Sequence, residues 1–371
     1  MLRVLHIFKT ATHHTHGGIE VFIDTLAHAQ HQLHLPVHHT LFALAPNCAA
    51  THTTPHLTTH CHPQQLALRS TPIALTALPH LAQHLARAHL LHLHYPYPFA
   101  DALLFAHTLR TRTPLPPILI TYHSDIVKQK WLEHLYRPLR TWLFRRAARI
   151  VATSHNLKAS SPTLARYLSK TTVIPLPSPI PPAYTPPPPT PTFFLYLGGL
   201  RYYKGLPTLI AAAAKAQLPV HIAGSGPDEP YLKRLAQRYR APITWHGAVD
   251  EATKKQLLAN CTALILPSTE RSEAFGLVLL EAAAYGRPAI TTELGTGTSE
   301  IVEHGKTGYV VPPKDPQALA HAMTTLWHLP LEQRTALGQA AYAKATTHYA
   351  QATIARAYYS CYQQHTQNQY N

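Results

Sequence analysis

Along the first half of the chain, short apolar runs are set between longer segments whose apolar positions recur every three or four residues. "RVLHIF", "HLLHLHY", "PILITYH", "ARIVATS" and "TVIPLP" have strand length, whereas "GGIEVFIDTLAHAQHQ" carries the helical period. Strands and amphipathic helices in alternation predict βα units around a parallel sheet. The rhythm stops at Ser178. "PSPIPPAYTPPPPTPT", Pro177 to Thr192, can neither donate to a sheet ladder nor continue a helix, and its stiffness predicts a semi-rigid spacer.

Beyond it the pattern resumes with the strands "FFLYLG", "PVHIAG", "ITWHG", "ALILPS", "PAITTE" and "TGYVVP", separated by helices such as "LPTLIAAAAKAQ" and "PYLKRLAQRY". The expected organisation is a domain over 1–178, a proline-rich linker over 179–192 and a second domain over 193–349. A last helix within 350–371 is expected to pack back on the first domain. The fold class is α/β: two Rossmann-like, doubly wound parallel-sheet domains facing a cleft, where the carboxyl ends of such sheets bind ligands.

Composition narrows the partners. A chain of 371 residues with 46% apolar content can fill two cores. The formal charge of +15, from 32 basic residues against 17 acids, suits phosphates, anionic lipid or nucleic acid alike. No recognition-helix or RNA-binding signature is present, so nucleic acid is disfavoured. "YRPLRTWLFRRAAR", Tyr136 to Arg149, reads equally well as a contact for an anionic membrane surface or as a solvated helix face. Cys48, Cys61, Cys261 and Cys361 are scattered, which suggests neither a disulfide framework nor a zinc site and fits a reducing cytosol. The start "MLRVLHIFKTATHH" lacks a signal sequence, and no apolar run approaches the roughly 18 to 20 residues that span a bilayer. The 29 histidines, spread over helices, loops and strands, read as compositional drift, and no metal is assigned.

Candidate chemistry gathers in four stretches. "ERSEAFGLVLLEAAAYGRP" concentrates Glu270, Glu273 and Glu281 in an acid-poor chain, with Glu273 just ahead of a helix and Glu281 inside it. Eight residues at helical rise separate the last two by about 12 Å, of the order of the span from a nucleotide's ribose to the sugar on its diphosphate. A retaining hydrolase needs its carboxylates roughly 5 to 5.5 Å apart, so hydrolysis is disfavoured. A carboxylate on so apolar a helix requires a strong partner. "YLGGLRYYKGLPTLI" joins Gly198, Gly199, Arg201 and Lys204 to a helix start that attracts anions, and "HTHGGIEVF" repeats the arrangement with Gly17 and Gly18. "ELGTGTSE" offers amides at Thr296, Gly297, Thr298 and Ser299 that could cradle a diphosphate, or else a plain hinge loop. "TYHSDIVKQK" and "LHLHYPYP" place His123 and Asp125, and His92 and His94, at strand ends.

Together these pieces resemble a known family. The run from "HGAVDEATKKQLLANC" through "SEAFGLVLLEAAAYGRP" to "HGKTGYVVPPKDPQAL" is similar to the second half of the retaining glycosyltransferases of family 4, with GT-B fold, and its E-x7-E element runs from Glu273 to Glu281. "GGIE", "HSDIVKQK", "IVATS", "IPLP", "YYKG" and "IAGSGP" extend the likeness over nearly the whole chain. The wording is most similar to bacterial mannosyl- and rhamnosyl-type enzymes of surface polysaccharide assembly. The resemblance implies that Glu281 holds the donor's ribose, that Glu273 binds the transferred sugar beside its reacting carbon, and that the Phe275 and Gly276 amides join that contact. It further implies that Lys204, with amides around Gly18 and across Thr296 to Ser299, binds the diphosphate. His123 then faces sugar and acceptor, with Gly17, Asp125 and His94 on the acceptor side.

The implied activity is retaining transfer of a hexosyl group from a nucleoside-diphosphate sugar to a saccharide or lipid-linked acceptor in cell-envelope polysaccharide synthesis. GDP-mannose is the favoured co-substrate. No cofactor or metal is implied, in agreement with the lack of a D-x-D element, and the expected location is cytoplasmic, peripheral on the inner face of the membrane. One departure stands out: Gly199 occupies the place of the family's arginine, and Arg201 is expected to compensate. The alternative is a GT-B protein that binds sugar nucleotides without turnover.

Overall fold

The structure, a computed structural model, describes residues 1–11, 17–45, 50–68, 71–111, 113–126 and 130–366. The chain divides into two compact units, one of Met1–Thr153, Ser161–Pro177 and Gln351–Asn371, the other of Ser154–Ser160 and Ser178–Ala350.

Strands of the first unit are β1 (Leu2–Ile7), β2 (Val37–Ala45), β3 (Thr51–Thr53), β4 (Leu57–Pro63), β5 (Leu66–Leu68), β6 (Thr71–Ile73), β7 (Leu90–Tyr95), β8 (Ile118–Tyr122), β9 (Ala147–Ala152) and β10 (Thr171–Val173). Eight of them form one sheet in the order β10-β9-β8-β7-β1-β2-β4-β3, while β5 and β6 make a separate antiparallel pair. All neighbours in the large sheet run parallel except β3 on β4. The first strand lies in the middle, so the winding reverses between β1 and β7, which is where open parallel sheets bind ligands. Helices α1 (Gly18–Gln32), α2 (Ala77–Leu85), α3 (Pro98–Arg110) and α4 (Lys130–Arg146) supply the crossovers.

The short α5 (His155–Ser160) belongs to the second unit, which continues with β11 (Phe194–Leu197), α6 (Leu206–Ala216), β12 (Val220–Ala223), α7 (Glu229–Tyr239), β13 (Ile243–Gly247) and α8 (Glu251–Asn260). Then follow β14 (Ala263–Leu266), α9 (Leu277–Ala284), β15 (Ala289–Thr292), α10 (Thr298–Ile301), β16 (Gly308–Val311), α11 (Pro316–His328) and α12 (Leu331–His348). The sheet order is β13-β12-β11-β14-β15-β16, all parallel, so the reversal falls between β11 and β14. Strands such as "ALIL" of β14 are buried throughout because helices cover both faces. Asp250 caps α8 through the Thr253 amide, and Asp315 caps α11 through the Gln317 and Ala318 amides ahead of Pro316. The last helix, α13 (Gln351–Thr366), lies in the first unit against α1.

Two features differ from the sequence expectation. Residues 154–160 leave the first domain's range for the second unit, and the proline-rich segment expected to be a spacer is laid along the second unit. A proline run has carbonyl acceptors without N–H donors, and buried arginines meet that need. Arg287 bonds the Thr185 hydroxyl at 2.8 Å and the Pro186 carbonyl at 3.0 Å, and Arg334 bonds the Pro188 and Pro189 carbonyls at 3.0 and 2.9 Å. These contacts turn the expected spacer into a strap.

Candidate active site

In the second unit the loops leaving β11 and β14 meet where the winding reverses. Lys204 follows β11, and its ammonium lies 2.5 Å from Glu273 Oε2, which also accepts from the Ser268 hydroxyl at 2.9 Å. The loops are stitched by backbone, since the Thr269 amide donates to the Tyr203 carbonyl at 2.8 Å. Gly205 permits this approach. It adopts φ +72°, and a Cβ there would stand 1.9 Å from the Pro267 carbonyl oxygen. The Tyr203 ring sits 5.5 Å from the Lys204 ammonium. Burial alone would push the Lys204 ammonium down, but Glu273 and Tyr203 outweigh it and hold the pKa above its ordinary value. Lys204 is therefore a fixed cation with one of its three donors on Glu273 and, among the described residues, no second acceptor, which leaves the others to an anion.

Beyond Glu273 the chain turns through Gly276, at φ +80°, into α9. The first N–H groups of a helix have no partner within it, and among the described residues none of the amides of Phe275, Gly276, Leu277 and Val278 meets an acceptor. They add positive potential at the helix start. Glu281 lies one turn farther in, as expected, and the partner it requires is Lys254 of α8, 3.3 Å away. Lys254 also bonds the exposed Glu251 at 2.8 Å. Burial pushes the Glu281 carboxyl up from its ordinary range and Lys254 draws it back in part. Of the three acids in this stretch, Glu270 has Oε2 buried without a donor among the described residues.

The "ELGTGTSE" loop braces the Glu273 segment: the Gly297 amide donates to the Ala274 carbonyl at 2.8 Å and the Thr296 hydroxyl to the Glu273 carbonyl at 2.9 Å. Of the four amides offered to a diphosphate, that of Gly297 is thus taken up internally, while those of Thr296, Thr298 and Ser299 meet no acceptor among the described residues. The Thr298 hydroxyl bonds the Thr292 carbonyl, and the Ser299 hydroxyl bonds Glu293. Buried hydroxyls must find acceptors, and here the nearest are internal. Arg201 is exposed and makes no ion pair among the described residues, but its charge acts on Lys204.

In the first unit, Gly17 is the N-cap of α1 and Gly18 its first residue; residues 12–16 of that loop lie outside the described residues, as do 127–129 of "HSDIVKQK". Asp125 is taken up internally, because Oδ1 accepts from Tyr122 at 2.8 Å and Ser161 at 2.6 Å. His123 is buried beside His94, with Nε2 3.2 Å from His94 Nδ1, and burial pushes its pKa down to about 3. The reading of the histidines as filler also needs correction: His6, His39, His92, His94 and His123 form one buried cluster, and ring atoms of His6, His92 and His94 lie within 4.8 Å of one another. Both ring nitrogens of each of these three already have hydrogen-bond partners. Lys254 and Ser268 went unnoticed in the sequence because each reaches its site from a neighbouring element without a motif of its own.

In the second unit a lysine and a carboxylate at the switch point, with open amides at the next helix start, make an arrangement suited to an anionic, phosphate-bearing ligand. Residues 182–344 match the "Glycosyl transferases group 1" family model and residues 16–177 match "Glycosyltransferase Family 4". The chain belongs to the family 4 glycosyltransferases of GT-B fold. It is 38% identical over 336 residues to O-antigen chain mannosyltransferase C of Escherichia coli, covering 88% of this chain and 89% of that one. It is 37% identical over 362 residues to D-rhamnosyltransferase WbpZ of Pseudomonas aeruginosa, covering 92% and 91%. In fold it matches sucrose-phosphate synthase of Thermosynechococcus elongatus with a TM-score of 0.78 at 22% identity over 98% of this chain and 99% of that one. Anabaena HepE in complex with UDP-glucose matches with a TM-score of 0.74 at 18% identity, over 97% and 99%.

Proposed function

We propose that the enzyme transfers a hexosyl group from a nucleoside-diphosphate sugar, GDP-mannose being favoured, to a saccharide or lipid-linked acceptor with retained anomeric configuration. The observation that carries this reading is the Lys204–Glu273 pair, set between β11 and β14 beside the open amides that begin α9. Support for the sugar comes from the mannosyl- and D-rhamnosyltransferases, since D-rhamnose is 6-deoxymannose. Support for a nucleotide donor comes from HepE, which binds UDP-glucose.

When the anomeric bond breaks, its electron pair passes to the diphosphate and positive character grows on the sugar. A preorganised cation and amides aimed at the phosphates stabilise that charge more in the transition state than before it. Lys204 and the first turn of α9 fill this role, and Glu281 accepts from the ribose hydroxyls. Glu273 Oε2 is engaged by Lys204 and Ser268, which leaves Oε1 to hold sugar hydroxyls and makes Glu273 a positioning carboxylate instead of an attacking one. For retention, the departing phosphate oxygen takes the acceptor's proton while the acceptor oxygen bonds the anomeric carbon on the same face. A protein cation does what a divalent metal does in other transferases, so chelation of metals with EDTA should leave turnover unchanged.

No helix among the described residues is long and apolar enough to cross a membrane. Association with an anionic surface fits α4, where Arg137, Arg145 and Arg146 are exposed and Arg146 stacks on Trp142 at 4.7 Å. The test is a panel of GDP-mannose, UDP-glucose, UDP-N-acetylglucosamine and dTDP-rhamnose with cell-envelope extract, read by release of nucleoside diphosphate and by the anomeric coupling of the product. Release from GDP-mannose alone with an α-linked product is expected. An inverted product, or no release from any donor, contradicts the reading.

A further inference from the structure

A chain of hydrogen bonds crosses the interior of the first unit, and one backbone carbonyl decides its direction. The Gln30 side-chain amide donates to the Ala355 carbonyl of α13 at 2.8 Å. That oxygen can only accept, so the amide nitrogen of Gln30 faces it and Oε1 faces His39 Nε2 at 2.7 Å. An amide oxygen also only accepts, so His39 carries its proton on Nε2 and, being neutral, accepts at Nδ1. His39 Nδ1 lies 2.9 Å from His6 Nε2, His6 Nδ1 lies 3.0 Å from His94 Nε2, and His94 Nδ1 lies 3.2 Å from His123 Nε2. Each ring inherits the tautomer imposed by the ring before it. All four are buried, which keeps them neutral and rules out imidazolium rings that would donate from both nitrogens. At the far end, His123 Nδ1 has no hydrogen-bond partner among the described residues.

The sheet explains how these residues came together. His6 is paired with His92 in register across β1 and β7, and His94 with Thr121 across β7 and β8, so the rings share the sheet face covered by α1 and α13. His92 stays off the chain, since its two nitrogens face Tyr362 and Thr121.

We propose that Gln30, acting through His39, His6 and His94, fixes His123 as the Nε2–H tautomer and so presents Nδ1 as a hydrogen-bond acceptor for a hydroxyl of the bound sugar. The proposal rests on the reading of His123 as the residue that faces the sugar. Because the chain ends in an amide, no proton can leave along it. His123 is thereby an acceptor of a hydrogen bond and not a general base, and Gln30, His39, His6 and His94 are positioning residues.

The test is long-range proton–nitrogen NMR of the full chain with ring-labelled histidine at pH 7.5, with the terminal ring assigned by its loss in His123→Gln. Expected are four connected rings, each with a pyrrole-like Nε2 and a pyridine-like Nδ1, joined by couplings across the N–H···N bonds. A protonated His123 Nδ1, a reversed chain, or the same nitrogens coordinated to zinc when the metal alone is added at stoichiometric amounts would overturn the proposal. If His123→Gln fails to fold, Gln30→Leu gives a second readout: His123 should become a mixture of tautomers, and an unchanged spectrum would refute the lock. In wild type, titration with GDP-mannose should shift His123 Nδ1. A locked chain with no such shift upholds the tautomer assignment and defeats the sugar-facing reading, so the two failures are distinguishable. Once a donor is known, Gln30→Leu should lower kcat/KM on the order of tenfold, the size of one neutral hydrogen bond lost to the sugar.

Discussion

At 2.5 Å from Glu273, Lys204 is already oriented before any donor arrives, so its electrostatic effect carries little reorganisation. Lys204→Ala should lower turnover about a hundredfold, or about 3 kcal/mol of transition-state stabilisation, while donor affinity changes less; equal losses in both, measured by initial rates against donor concentration, would contradict the role. Glu281→Ala should instead weaken donor binding, by roughly 1.5 to 3 kcal/mol for hydrogen bonds to a charged group. Lys254→Met should act in the same direction, because burial already raises the Glu281 carboxyl and Lys254 is what opposes it. At this scale the placement of Glu273 ahead of a helix and of Glu281 inside it was legible, since spacing and a helix start mark it, whereas the contact of Lys204 with Glu273 was not. The histidine chain was not. In a sequence with 29 histidines nothing distinguishes His6 or His39 from the rest until sheet register brings them together.

Among the elements, the alternation was readable where strands are buried along their length, as in β7, β8, β14 and β15, whereas β2 to β6 and α2 went unread, and β3 is exposed throughout. The proline strap was not readable, because the donors that capture it, Arg287 and Arg334, lie about a hundred residues or more away in the chain. Arg287 is fully buried and also bonds the Leu258 and Ala259 carbonyls at 3.1 and 2.6 Å. Arg287→Lys cannot reproduce that fork, and it should cost the second unit about 2 kcal/mol or more in denaturant titration. Gly205→Ala should act locally, since the Cβ collision with Pro267 forces the β11 and β14 loops apart and displaces Lys204.

For the molecule as a whole, the buried histidine cluster links stability to pH. His6, His39, His92, His94 and His123 are held neutral by burial, with pKa values well below 6.5, whereas in the unfolded chain they titrate near 6.5. A lowered histidine pKa favours the fold above the unfolded value and withdraws that stability as pH falls. Each contributes up to about 1.4 kcal/mol per pH unit below about 6.5. Buried Asp101, raised to about 7 by burial against the Tyr136 bond, opposes one of the five on acidification. The first unit should therefore lose stability steeply below about pH 6, and thermal melts that are flat between pH 7 and 5 would contradict this.

The central claim is that the second unit grips a sugar nucleotide through its diphosphate and ribose. Calorimetric titration of GDP-mannose into wild type and into Glu281→Ala tests it most directly. A single saturating site in wild type that is weakened about tenfold or more in the variant is the predicted result, and equal affinities in the two proteins, or no heat in either, would contradict it.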